Sequence, residues 1–214
     1  MMNDLPDGQL LRLHRKGNTS AFTELVRRHE SCLLQHARAL LGGGRPYEDA
    51  VQEAFLKLAQ VPPELPPEVA GDERLERAHL LSWLHKVTRN QCMDLMRSEA
   101  RRRRREHDVA AHEGFDGGMS QVEERDTRAI VRREIEKLPA DQREVLVLRL
   151  IGERSYKEIA EITGKKIGTV GWLVSVGVKA LGEQLEPLLA MREGSSRNAR
   201  AAASGRMDVV QGEL

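Results

Sequence analysis

Residues 155–181, SYKEIAEITGKKIGTVGWLVSVGVKAL, decide the fold. They read as two short helices joined by a tight turn. Ser155 can cap the first helix, and Glu158, three residues on, completes a capping box over the exposed amides. Ile159, Ala160 and Ile162 give that helix an apolar side. Gly164 falls four residues after Ala160, where the chain must turn sharply and a left-handed backbone is easiest for glycine. Val170 and Leu173 follow ten and thirteen residues after Ala160. A small residue, a turn glycine and an aliphatic at those offsets let the second helix cross closely over the first. This is helix-turn-helix spacing, in which the second helix enters the DNA major groove. An αα-hairpin with no DNA role fits the same pattern, so the flanking sequence has to decide between them.

Immediately upstream, one helix is predicted from Val122 to about Leu138, where Pro139 breaks it. Asp141 opens another, with Glu144 at capping-box spacing. The run VLVLRLI, residues 145–151, has strand propensity, but its cap and its place before the turn motif predict helix. Downstream, Val170, Leu173, Val174 and Leu181 are predicted to face inward. Thr169, Trp172, Ser175, Val176 and Lys179 are then left outward. Gly171 and Gly177 each lower helix propensity by about 1 kcal/mol relative to alanine. Amphipathic content then falls away, and residues 187–214 are predicted to form a flexible tail.

Further upstream, Phe22, Leu25, Val26, His29, Leu33, Ala37 and Leu40 recur at helical spacing. They predict a first ordered element from Ser20 to Leu41, closed by Gly42, Gly43 and Gly44. A second helix is predicted from Tyr47 to about Gln60, with Val51, Phe55 and Leu58 inward. Its other side carries Glu48, Asp49, Gln52, Glu53 and Lys57, and acidic groups at a helix start suit the macrodipole without any partner. The proline-rich VPPELPPEVAG, residues 61–71, reads as an exposed loop. A third helix, from about Ala78 to Arg97, places Leu81, Leu84, Val87, Cys92 and Leu95 on one side. Lys86, Arg89, Asn90, Asp94 and Arg97 lie on the other. Trp83 fits either a core position or a stacking platform for an unpaired base. Arg97 and Arg101 to Arg105 put six arginines in nine positions, a run that can neutralise phosphates or simply end a solvated helix. The pattern then disappears into a polar, Gly-Gly-containing linker. The expected organisation is a domain at 8–105, a linker at 106–121 and a second domain at 122–186.

Composition agrees with small helical units: of 214 residues, 40% are hydrophobic, 3% aromatic and 31% charged. The net charge of +1 does not by itself point to nucleic acid, so the argument rests on local charge. A membrane-crossing apolar run is absent, and the N-terminal MMNDLPDGQLLRLHRKG lacks the apolar core of a secretory signal, which points to the cytoplasm. Cys32 and Cys92 cannot build a disulfide framework. His29, Cys32 and His36 could share a helix face but lack a clear fourth ligand, so no metal site is expected. Phosphate-loop, nucleophile-elbow and metalloprotease motifs are missing, and Glu48/Asp49 and Glu123/Glu124 read as helix-start carboxylates. Neither a catalytic residue nor a cofactor is therefore expected.

Three stretches carry a family resemblance. AFTELVRRHESCLLQHARALL with YEDAVQEAFLKL, LLSWLHKVTRNQCMDLMRSEARRRRR, and LPADQREVLVLRLIGERSYKEIAEITGKKIGTV stand in this order across roughly residues 20–185. In order and separation the chain resembles the bacterial RNA polymerase sigma factors of the sigma-70 family, extracytoplasmic-function type. The resemblance implies an all-α fold of two helical domains, region 2 and region 4. It implies a subunit without chemistry of its own that docks on the β′ clamp and β flap of core polymerase and directs it to promoter DNA. Asp49, Gln52 and Glu53 match the family's D-x-x-Q-E element for the clamp. Trp83, Arg89, Asn90, Asp94 and Arg97, with Arg101 beyond them, match positions facing the −10 strand. Lys165, Lys166, Thr169, Trp172, Ser175 and Lys179 fall where the −35 element is met. An anti-sigma protein that holds the factor inactive is common in that family.

One departure stands out. After GTV the family commonly places several lysines and arginines, where this chain has Gly171, Leu173, Val176 and Val178. Three accounts fit: −35 contacts rest on Lys165, Lys166 and Lys179; the −35 element matters little; or this face binds protein. The alternative function is accordingly a sigma-like interaction regulator that binds polymerase or a partner but recognises DNA poorly. A stand-alone helix-turn-helix repressor leaves the first domain without a purpose.

Overall fold

The computed structural model describes residues 2–42, 46–107 and 127–204, and among these all regular structure is helical. After a short 3-10 turn come α1 (Asp7–Arg15), α2 (Thr19–Leu41), α3 (Tyr47–Gln60) and α4 (Glu73–His107). Then follow α5 (Thr127–Glu136), α6 (Ala140–Leu150), α7 (Tyr156–Thr163) and α8 (Ile167–Ser204).

The first ordered helix is α1, upstream of the predicted start at Ser20. Its leucines Leu10 and Leu11 are fully buried, and its first residue is fixed by charge. The Asp7 carboxylate accepts from Arg28 Nη1 at 2.8 Å and faces His29 Nε2 at 3.0 Å, both from α2. Burial pushes the Asp7 carboxyl up, but the facing His29 and Arg28 charges outweigh it and hold the group below its ordinary value. Asn18 caps α2 by accepting from the Ala21 amide at 3.0 Å, and Gly42 ends the helix with a φ of 78°. Asp72 starts α4, accepting from the amides of Arg74 and Leu75. The helix thus begins before Ala78 and passes Arg97, reaching His107. Leu10, Leu11, Leu25, Leu33, Leu58, Leu80 and Leu84 make the centre of the first core, and burying each contributes about 2 kcal/mol.

The second core gathers Leu138, Val145, Leu146, Leu148, Ile159, Ile162, Val170, Leu173 and Val174 from the α5–α6 turn and α6 to α8. Residues 145–150 are helical as expected, and Val145, Leu146, Val147 and Leu148 can all be buried on one helix because α6 is covered by α8 on one side and by α2 on another. The predicted capping box at its start does not form: Pro139 is the N-cap and makes no side-chain cap bond. Asp141 instead pairs with Lys165, and Glu144 is buried. Helix α8 continues to Ser204, past the boundary expected for a tail at 187. Residues 205–214 and most of the expected linker, from 108 on, lie outside the described residues.

The halves touch. Helix α6 lies against α2 and α7 against α4. A small apolar cluster joins Ala39 of α2 to Ile135, Val147 and Leu181. Arg143 reaches across to donate to the Ala39 carbonyl, and Arg38 Nε stands 2.8 Å from Glu136 Oε1.

Candidate nucleic-acid interface

The turn motif is built as its residues dictate. Ser155 Oγ accepts the Glu158 amide at 3.3 Å, while Glu158 Oε2 accepts the Ser155 amide at 2.7 Å, so two otherwise orphaned donors are satisfied. Gly164 is left-handed, with φ 72°, and its amide closes α7 on the Ala160 carbonyl. Val170, Leu173, Val174 and Leu181 are buried as expected. Thr169, Trp172, Ser175 and Lys179 are exposed and Val176 half-buried, so the predicted outer face of α8 is the solvent face. Trp172 is 61% exposed. Lys166 is exposed, whereas Lys165 is held back with its Nζ 3.0 Å from Asp141 Oδ1. Gly177 is more than a weak helix former: a Cβ there would stand 2.9 Å from Leu146 Cδ1, so the missing side chain lets α8 close on α6.

On the first domain, Asp49, Gln52 and Glu53 are exposed along α3, while Ala50, Val51, Ala54, Phe55 and Leu58 of the same helix are buried. This leaves an acid-and-amide face open beside the exposed Leu56. Helix α4 divides its expected DNA residues. Asn90, Asp94, Arg97 and Arg101 are exposed, and Arg97 Nη1 pairs with Asp94 Oδ1 at 3.1 Å. Trp83 is half-buried against the first core, which narrows its use as an open stacking platform. Arg89 points elsewhere: its Nε donates to Glu144 Oε1 of α6 at 2.8 Å.

Glu144 brings in two residues that the sequence reading did not single out for one another. His36 Nε2 lies 3.6 Å from Glu144 Oε1, and His36 Nδ1 lies 3.1 Å from His85 Nδ1. Burial pushes the Glu144 carboxyl up, yet the His36 imidazole and the Arg89 guanidinium bring it below its ordinary value. The available signal was a polar residue at an apolar register: His36 lies between Leu33 and Ala37, His85 follows Leu84, and Glu144 precedes Val145. The pairing itself, across a separation of 55 residues, has no local signature. His29, Cys32 and His36 diverge, since His29 faces Asp7, Cys32 Sγ donates to the His29 carbonyl, and His36 meets His85. Among the described residues no group of three or more His, Cys, Asp or Glu is placed to hold a metal ion. No described helix is long and apolar enough to cross a membrane.

Known proteins match both halves. Family models described as Sigma-70 region 2 and Sigma-70, region 4 match residues 25–102 and 128–181. The "ECF RNA polymerase sigma factor SigM" of Mycobacterium tuberculosis is 30% identical over 164 residues, 77% of this chain and 76% of that protein. The "ECF RNA polymerase sigma-E factor" of Escherichia coli K12 is 28% identical over 199 residues, 88% of this chain and 99% of its own. Among solved structures, "CnrH in complex with the cytosolic domain of CnrY" is similar with a TM-score of 0.53 and 25% identity over 85% of this chain and 97% of that one. "The sigma factor RpoE in complex with the anti-sigma factor NepR from Bartonella quintana" has a TM-score of 0.54 and 25% identity, covering 77% and 96%.

Proposed function

The chain belongs to the extracytoplasmic-function sigma factors of the sigma-70 family, which direct core RNA polymerase to promoters, and from that premise we propose how its surfaces divide the work. Asp49, Gln52 and Glu53 dock α3 on the β′ clamp, where an acid-and-amide face suits a basic partner surface. Asn90, Asp94, Arg97 and Arg101, with Trp83 and Arg89, meet the −10 strand: arginine offers charge to phosphates, and asparagine can both donate to and accept from the edge of a flipped base. Lys165, Lys166, Thr169, Trp172, Ser175 and Lys179 meet the −35 duplex. The protein works as a specificity subunit with no catalytic step of its own, and in the cytoplasm, where polymerase and promoter are found. An anti-sigma protein of the kind seen with RpoE is a further partner.

The observation that carries this reading is the capped α7–α8 unit with its outer face open to solvent, on a chain whose other half exposes the acid face of α3. The test is transcription in vitro with purified core polymerase and a fragment library of the source genome. Starts at shared −10 and −35 elements that need this protein support it; binding to core without specific starts supports an interaction regulator instead. That second reading draws on the outer face of α8, where Trp172 and Val178 are exposed and Lys165 is tied to Asp141.

A further inference from the structure

Three buried ionisable side chains meet where the two halves touch. His36 of α2 is fully buried, His85 of α4 is 1% exposed and Glu144 of α6 is 2% exposed. The facing ring nitrogens, His36 Nδ1 and His85 Nδ1, are 3.1 Å apart. On its other side His36 faces Glu144, whose Oε1 also takes Arg89 Nε. A continuous set of proton sites therefore runs from α4 through α2 to α6 and back to α4.

The number of protons this set can hold is constrained. A hydrogen bond between two imidazoles needs one donor and one acceptor. One hydrogen between the rings satisfies it. Two would set N–H against N–H at the same short distance and bring two imidazolium charges into contact in a buried place. The neighbours add to that cost. Arg154, from the α6–α7 connection, and His29 of α2 add positive charge at His85. Arg89 of α4 lies on the far side of Glu144. Glu158 of α7 is engaged by Arg154 at 2.8 Å and by the Ser82 hydroxyl at 3.5 Å, and Arg143 of α6 is spent on the carbonyls of Ala39 and Glu136. His85 Nε2 is buried without a hydrogen-bond partner beside Gly152, where even an added Cβ would come within 3.3 Å of it.

We propose that His36, His85 and Glu144 form a proton-operated latch: the two rings, bonded to each other within the first half, are covered by Glu144 and Gly152 of the second, which stays closed on them while they share one hydrogen and comes away when the second ring is protonated. Burial, followed by the charges of His36, Arg154 and His29, holds His85 well below its ordinary 6.5 in the closed form. Once released into water the ring returns to about 6.5. The open form therefore takes the proton first as pH falls. Closure is complete above about pH 6.5 and weakens below it, by up to about tenfold in the closed-to-open ratio per pH unit for one proton. Opening frees Arg89 from Glu144; that consequence rests on the promoter role proposed for Arg89, whereas the opening itself does not.

Small-angle X-ray scattering of the full chain from about pH 8 to about pH 5, with far-UV circular dichroism on the same samples, tests the latch. The radius of gyration should rise below about pH 6.5 with helix content unchanged. His85→Gln, whose amide can donate to His36 without titrating, should stay compact about 1 pH unit further down. Glu144→Gln should open at neutral pH. A constant wild-type radius, expansion that coincides with helix loss, or a His85→Gln transition at the wild-type pH would each overturn the latch. Should His85→Gln misfold, His85→Asn, which likewise donates without titrating, carries the same comparison. A normal scattering transition with failed promoter-specific transcription would support the latch and count against the promoter reading.

Discussion

The outer faces of α4 and α8 make different offers to DNA. Along α4, Lys86, Asn90, Arg97 and Arg101 are exposed on a helix whose inner side, Leu80, Leu84 and Cys92, is anchored in the first core. Along α8, the exposed positions of the outer face include Thr169, Trp172, Ser175, Val178 and Lys179. Duplex affinity rests mainly on phosphate contacts made by cations. On the promoter roles proposed above, the difference teaches that the grip is unequally shared: α4 brings charge and one exposed amide, Asn90, while α8 brings shape and one large aromatic ring.

The largest effects come from removing each face's anchor. Leu84→Ala under α4 and Leu173→Ala under α8 should each cost about 3 kcal/mol in urea unfolding followed by circular dichroism. A loss below about 1 kcal/mol at either site would show that its face does not depend on its own core. Asn90→Ala removes the exposed amide proposed to read the −10 strand, so promoter-specific starts should fall by about 1–3 kcal/mol in effective discrimination while thermal stability stays unchanged. Gly177→Ala should destabilise by about 1 kcal/mol in the same unfolding assay, because Leu146 is fully buried and has little room to yield. A stabilised variant would mean that helix propensity outweighs the close approach. Ser175→Arg would sharpen the comparison: an added cation on α8 should steepen the salt dependence of promoter binding by about 0.9 in slope. The smallest effect on stability belongs to Trp172→Ala, within about 0.5 kcal/mol for so exposed a ring, with a larger loss in −35-dependent initiation.

How much of this was legible in the sequence follows from the range of each interaction. Helices α7 and α8 were readable because their signals are local: a capping box joins residues three apart, and Gly164 marks its own turn. The inward and outward positions of α8 followed from period alone. Helix α1 escaped because its apolar content is short, and what fixes Asp7 comes from the next helix, from His29 and from Arg28, which is 21 residues away in sequence. Glu144 was misread for the same reason. Its spacing from Asp141 fits a capping box, but Pro139 takes the N-cap position and the carboxylate turns inward to Arg89 and His36. Arg89 was expected on the DNA face, and period does place it with Asn90, but period cannot show that a second domain covers it. Cys92 is buried in the first core, and burial pushes its thiol up to about 12, so its helical spacing reported packing and no reactivity.

The most direct measurement of the unequal grip is transcription in vitro by core polymerase with this protein on one promoter, with either the −10 or the −35 element scrambled. The account predicts that scrambling −10 abolishes specific starts, whereas scrambling −35 leaves a reduced but measurable signal at the same start site. Loss of all specific starts on scrambling −35 alone, with the −10 variant still active, would contradict it.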